Sequence, residues 1–281
     1  MPIFLFKNFD VHNSAFSIPS LKKYFLHLHI NYNPSNMKNY LIKLLISTIL
    51  IVVISHFLKI QITDYTAAIF AYCLNAESVT IWKDVPGVMN ADPRYFENAS
   101  LLNQISYREA IELAFYGATV IHPKTLQPLQ KKEIPLYVKS FINPLLKGTS
   151  VSRGADLEPH LPCFIVKRNQ LLISLSSIDF SFIMEENISE IFALFHQFKL
   201  KVNLIQNSAI SFSVCVEDKF GNFKEMNAIL SKKFKVDYNE NVTLYTIRHF
   251  DEAASQTVEK NKLVLLKQVS RETMQVVTKE V

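Results

Sequence analysis

No glycine precedes Gly87 in this chain of 281 residues, and only five occur in all. A loop that cradles phosphate with backbone N–H groups needs glycine. A P-loop or a dinucleotide-binding fingerprint is therefore excluded from everything before Gly87. Gly87 itself lies in TIWKDVPGVMNADPR (80–94), beside the only tryptophan, Trp82. SVTIW (78–82) reads as a buried strand, and Pro86-Gly87 suits a turn at its carboxyl end, where open α/β sheets bind ligands. There Asp84 can accept hydrogen bonds from a ribose or a purine amine, while Lys83 and Arg94 can neutralise phosphate oxygens. Taken singly, each has a plainer role: Asp84 as a turn former, Lys83 as a solvated side chain, Asp92-Pro93 as the start of a helix or turn. Arrayed together after one strand, they read as a nucleotide edge.

The chain is written in two styles. Residues 1–62 hold six lysines, one acid (Asp10), no arginine and one alanine (Ala15), and so carry the whole net charge of +5. The rest is balanced. A nucleic-acid-binding protein would not confine its excess charge to a segment without arginine, and that function is excluded. Within this segment LIKLLISTILIVVISHFL (41–58) is strongly apolar and close to the lower length that spans a bilayer. Lys38 and Lys59 flank it on both sides, and it begins too late for a signal peptide. Three readings stand: a membrane anchor, a core helix, or translated sequence foreign to the ancestral protein. The abrupt change of style favours the third. The three cysteines, Cys73, Cys163 and Cys215, have no metal-ligand spacing and read as thiols in a reducing cytosol.

From residue 65 regular periods appear. Helices are expected over 65–76, 106–118 and 124–132, and strands over 78–82 and 135–140, which amounts to half of a doubly wound α/β domain. Ser106 and Glu109 have capping-box spacing, with Ile111, Leu113 and Ala114 on the apolar face. The polar stretch 147–162 marks a domain boundary. Beyond it, strand 171–177, a helix 188–198 with Ile188, Ile191, Phe192 and Phe195 inward, strands 202–208 and 209–216, helix 222–234 and the strand FKVDYNE follow the order βαββαβ of a split ferredoxin-like unit. Asn187 and Glu190 are placed to cap the first helix, and residues 210, 212, 214 and 216 alternate strictly. VTLYTIRHF, a helix near DEAASQTVEK and two more strands look like an abbreviated second copy.

TDYTAAIFAYCL (63–74), TIWKDVPGVMNADPR (80–94), ISYREAIELAFYGATVIHP (105–123), PLYVKSFINPLLKGTSV (135–151) and the run from KRNQLLISLSS to VNLIQNSAISFSVCV (167–216) together resemble aspartate kinase of the amino-acid kinase superfamily followed by ACT regulatory domains. The resemblance implies part of a three-layer α/β kinase domain over 63–152, a ferredoxin-like α+β ACT domain over 165–240 and an abbreviated second ACT unit over 241–281. Residues 1–62 stand unmatched, in place of the amino-terminal half of the kinase domain. The implied reaction moves the γ-phosphoryl group of ATP, with Mg²⁺, to the side-chain carboxylate of L-aspartate, the first step towards lysine, threonine and methionine. By the same resemblance Lys83 and Asp84 hold ATP, Arg94 contacts phosphate, and Met89 stands where a tyrosine often lies against the nucleotide. Thr119 stands where some members have a nucleotide-binding lysine. Thr63 and Asp64 match a Ser-Asp pair that binds aspartate, with Asp64 catalytic. The family's arginine and two glycines before that pair are replaced by KIQI (59–62), and its Lys-Phe-Gly-Gly motif is absent from the chain. Phosphoryl transfer depends on positioning and charge stabilisation, so the chain as written is expected to be inactive or nearly so.

In such ACT units a free amino acid binds between the first loop and the second strand. The matching residues are Glu185, Asn187 and Ile188, with Asn203, Gln206, Asn207 and Ser208 opposite. For Asn187, helix capping is the simpler role. For the Gln-Asn-Ser run among apolar neighbours, ligand binding is the better reading, since buried amides need partners. Lysine-sensing members often carry an acid at the position of Asn203, so lysine, threonine and no effector all stay open. Two functions follow: a cytoplasmic aspartate kinase impaired by its altered amino-terminal part, or a non-catalytic amino-acid-binding fragment that dimerises through its ACT units. The kinase layer, short of neighbouring strands, is expected to expose a sheet edge.

Overall fold

The computed structural model describes residues 64–179 and 181–280 and the backbone of residues 26–30. Thr63, the KIQI stretch and the apolar run 41–58 lie outside the described residues. The chain forms two compact units that meet between Leu161 and Pro162.

In the first unit, strands β1 (Leu26–Ile30), β2 (Ala76–Lys83), β3 (Gln104–Ser106), β4 (Leu136–Ser140) and β5 (Thr149–Ser152) form one sheet in the order β1-β2-β4-β5-β3. β2 and β4 run parallel, β5 returns antiparallel to β4, and β3 lies parallel to β5. β1 pairs antiparallel with β2 from Leu26↔Ile81 to Ile30↔Ala76, so the edges of this open sheet are β1 and β3 rather than β2. The three-residue β3 and four-residue β5 were not foreseen, and β5 lies inside the stretch read as a boundary.

Helix α1 (Asp64–Leu74) buries Ala67, Ala68 and Ala71, small side chains that let its backbone approach its neighbours closely. Its carboxyl end is held by Lys132, whose Nζ donates to the Tyr72 carbonyl and to Asn75 Oδ1, both at 2.5 Å. Helix α2 (Tyr107–Tyr116) starts as its sequence implies, with Ser106 Oγ accepting from the Glu109 amide at 3.0 Å. Ala110 and Leu113 are buried, while Ile111 and Ala114 are only half-covered. Helix α3 (Pro123–Lys131) has proline in its first turn and buries Thr125, Leu126 and Leu129.

The second unit is a continuous six-stranded antiparallel sheet, ordered β10-β11-β9-β6-β8-β7. Its strands are β6 (Cys163–Ser177), β7 (Lys201–Asn207), β8 (Ser211–Glu217), β9 (Phe234–Arg248), β10 (Lys262–Val269) and β11 (Thr273–Glu280), with helices α4 (Glu185–Gln197), α5 (Phe223–Leu230) and α6 (Glu252–Glu259). The later half of β6, then α4, β7, β8, α5 and the early half of β9 make the expected βαββαβ unit, with β9 and β8 flanking β6. The later half of β9, α6, β10 and β11 make a second unit with one helix. Its fourth strand is the early half of β6, where Cys163 faces Arg248 and Lys167 faces Leu244. β6 and β9 thus each serve both units. Asn169 and Asn241, at φ 54° and 57°, sit where the register of the two strands shifts, a left-handed geometry that asparagine tolerates.

Alternation divides the side chains. Leu171, Ile173, Leu175, Phe212, Val214 and Val216 enter the core beneath α4 and α5, whereas Leu172 and Cys215 join a separate cluster with Leu204, Val242, Leu244, Leu266 and Val277. Ile210 departs from the expected alternation. It precedes β8 in a turn and is 40% exposed, because the hairpin needs residues 208–210 to reverse the chain. Phe192 also lies only partly covered, edge-on to Phe195 and Phe212 at 6.1 Å.

Candidate functional site

β2 and β4 are parallel and in register at Lys83↔Ser140, so their carboxyl ends open on the same side of the sheet. At that end Lys83 Nζ donates to Asp64 Oδ2 at 2.6 Å. Asp64 is the first residue of α1, where the positive end of the helix dipole favours a carboxylate. Each of the two side chains retains about a quarter of its exposure, 26% for Lys83 and 25% for Asp64, so the pair is reachable from solvent. The residue expected to act on substrate and the residue expected to hold phosphate are thereby brought into contact. Asp84 follows immediately and is exposed.

The Pro86-Gly87 turn is fixed from behind. Thr149 Oγ1 accepts from the Val88 amide at 2.8 Å and donates to the Leu102 carbonyl at 2.6 Å. A Cβ at residue 87 would meet Thr149 Oγ1 at 2.5 Å and Leu101 Cδ1 at 2.8 Å, which explains why this position is glycine. Gly148 is constrained in the same way, since its Cβ would stand 2.1 Å from the Val138 carbonyl oxygen. Thr149 was missed by sequence reasoning because a threonine in KGTS carries no pattern of its own.

The remaining nucleotide-side residues are more dispersed. Met89 pairs with Leu101 in an isolated bridge and is half-buried. Arg94 is exposed and grips Asp92: Nε lies 3.0 and 3.1 Å from the two carboxylate oxygens, and a terminal nitrogen 2.6 Å from Oδ2. The Arg94 guanidinium, by hydrogen bonding, holds the Asp92 carboxyl below its ordinary range. Thr119 lies exposed in the loop after α2. The structure therefore joins Asp64 to Lys83, with Asp84 next in sequence, and leaves Arg94 committed to Asp92.

In the second unit α4 begins at Glu185, three residues earlier than expected. Asn187 is its third residue and accepts the Met184 amide in Oδ1 at 3.0 Å, so it caps the helix from inside rather than standing before it. Glu185 is exposed and Ile188 packs against the core. Asn203 is spent internally: its Oδ1 accepts from Lys167 Nζ at 2.8 Å, and its Nδ2 donates to Gln170 Oε1 at 2.8 Å. Burial, reinforced by nearby Lys201, lowers the Lys167 pKa, and burial pushes the Cys215 thiol up to about 12. Gln206 and Asn207 are exposed on β7, the last strand of the sheet. Ser208 belongs to the hairpin, with its Oγ 2.7 Å from Ser211 Oγ.

The model of the amino acid kinase family matches residues 6–140, a range that begins within the segment carrying no recognisable motif. Lysine-sensitive aspartokinase 3 of Escherichia coli is 35% identical over 155 residues, which is 55% of this chain and 34% of that protein. Two crystal structures of aspartokinase III from the same organism superpose at 27% identity. The complex with aspartate and ADP has a TM-score of 0.62 and shares 76% of this chain and 52% of that one. The complex with lysine and aspartate has a TM-score of 0.61 over 76% and 51%. The chain spans about a third of the length of the curated relative and half of the solved one.

Proposed function

We propose that the chain belongs to the amino-acid kinase family, whose model matches residues 6–140, and that its first unit carries the nucleotide and aspartate edge of an aspartate kinase. One observation carries this reading: the Asp64–Lys83 ion pair at the common carboxyl end of β2 and β4, with Asp84 beside it. Lys83 Nζ is placed to exchange Asp64 for phosphate oxygens of ATP, and Asp84 to accept hydrogen bonds from the nucleotide. In the reaction an oxygen of the L-aspartate side-chain carboxylate forms a bond to the γ-phosphorus, the bond to the β–γ bridging oxygen breaks, and ADP leaves with that electron pair. Asp64, released from Lys83, orients the substrate's ammonium. Among the described residues no group of three or more potential ligands gathers to hold a metal, so Mg²⁺ fits this surface as an ion carried on the triphosphate.

The rate is expected to be low, because KIQI replaces the glycine-containing substrate loop before Thr63. Calorimetric titration with Mg·ATP separates binding from turnover. Binding that Lys83→Met weakens roughly tenfold supports the reading; no binding to the intact chain removes it. Aspartate-dependent ATP turnover abolished by Asp64→Ala would overturn the expected impairment.

A second role rests on β7. Its outer edge ends the sheet, and it exposes Gln206 and Asn207 beside the start of α4. We infer an amino-acid effector site there, lysine or threonine being the candidates, in a dimer formed through the ACT units. Asn203, committed to Lys167 and Gln170, is not free to meet a ligand's ammonium, which disfavours lysine. Isotherms with both amino acids and the mass in solution test it; two flat traces and a monomer would dismiss it.

A further inference from the structure

The first unit has a cavity at the end of its sheet away from Lys83. β5 runs antiparallel to β4, with Leu136 facing Val151, so Ser152 and Arg153 leave at the amino end of β4, away from Lys83. Ser106, at the end of β3, pairs with Ser152 and delivers the start of α2 to the same place. Here Arg108, Lys131, Arg153 and Gln130 surround an open cavity of about 480 Å³, within the size range of small-molecule sites.

The cavity wall holds three cations and no carboxylate. Arg153 is paired with Glu133 at the rim, whereas Arg108 and Lys131 form no ion pair among the described residues. Two positive charges are thus left uncompensated, supplied from two helices. The first turn of α2 carries the buried Glu109 and the Ser106 cap, which already meet its helix dipole, so the attraction rests on the two side-chain cations. The end of α3, which would repel an anion, is already quenched: the Leu129 carbonyl accepts from Lys132 and Ile134, and that of Gln130 from Glu133. Tyr107 closes the floor, its hydroxyl donating to the Ile134 carbonyl at 2.6 Å, and burial raises its pKa to about 12, so it adds no negative charge.

We propose that this cavity binds a phosphate dianion, either free or as the head of a small phosphate ester. A dianion matches the two uncompensated cations. The volume exceeds what phosphate alone fills, which leaves room for an organic portion against Gln130. This site is separate from the nucleotide edge, since the two stand at opposite ends of the strands, and it does not depend on the kinase reading.

The test is titration of the full chain with inorganic phosphate and with ribose 5-phosphate. Inorganic phosphate is expected to bind in either case, and ribose 5-phosphate to bind more tightly if esters are the source. Arg108→Gln and Lys131→Gln, both at exposed positions that the fold tolerates, should each weaken binding about tenfold, the loss of one charge-assisted contact. Affinity for ribose 5-phosphate should also fall between pH 7 and pH 5, as the ester passes from dianion to monoanion near pH 6 while Arg and Lys stay charged. Failure of both probes to bind overturns the proposal, and so does binding that the double variant leaves unchanged.

Discussion

Thr149 does more for the Pro86-Gly87 turn than any residue within it. Its hydroxyl joins the Val88 amide and the Leu102 carbonyl, both buried. Thr149→Val keeps the shape and strands both groups, at a cost of about 1–3 kcal/mol. Thr149→Ser keeps the bonds and loses one methyl, at about 1 kcal/mol. Denaturant unfolding followed by Trp82 fluorescence measures both, since the single tryptophan lies in the strand before the turn. Gly87→Ala drives a Cβ into the same hydroxyl and should cost about 1–3 kcal/mol as overpacking. If Thr149→Val proves neutral, the turn is held by its own sequence and the buried pair is incidental. Gly87 was legible in the sequence because a glycine between proline and valine after an apolar run has few other uses. Thr149 was not, because its partners lie 61 and 47 residues away. The same limit applies to Asn203, whose amide looked free for a ligand until the fold placed Lys167 and Gln170 against it.

Among the elements, those with a strong period of their own were legible and those that exist through their neighbours were not. α2 could be read from Ser106, Glu109 and its apolar stripe, and β8 from its alternation. β3 and β5, of three and four residues, owe their form to pairing with each other and with β4. The early half of β6 was invisible because its partner, the later half of β9, is about eighty residues away in the chain. α2 also makes a prediction in pH. Tyr107, its first residue, is raised by burial from 10 to about 12, so the folded state holds the phenolic proton more tightly than the unfolded chain. That contribution is complete below pH 10 and is lost as pH rises towards 12, amounting to roughly 2–3 kcal/mol. Tyr107→Phe should flatten the fall in stability over that window, read from Trp82, and cost about 1 kcal/mol at neutral pH through the lost bond to Ile134. Cys215, raised to about 12, gives a similar alkaline slope in the second unit, where Trp82 does not report. An unchanged slope in Tyr107→Phe would mean that the phenol ionises without cost.

For the whole molecule, the division between Leu161 and Pro162 has a consequence that composition could not supply. The second unit contains its own two clusters of buried side chains and closes its second ferredoxin-like layer with residues 163–167. A fragment of residues 162–281 should therefore fold alone and unfold cooperatively, as a domain with its own core does. A fragment starting at residue 169, the point at which β6 enters the first ACT-like layer, keeps every helix of the unit. It leaves the β9 edge from Leu244 to Arg248 without a partner and uncovers the side chains that Cys163 and Ile165 pack beside. Circular dichroism through thermal unfolding separates the two fragments: a sharp transition for the longer and a broad or absent one for the shorter. Equal cooperativity would show that the two ACT-like layers are independent and that their shared strands are a matter of connection only. The native chain offers a parallel check through its thiols. Cys73 is exposed and should alkylate at once, whereas Cys163 and Cys215 are buried and should react only as the second unit opens. Alkylation of Cys163 ahead of Cys215 would locate the first opening at the early half of β6, the strand on which the second layer depends.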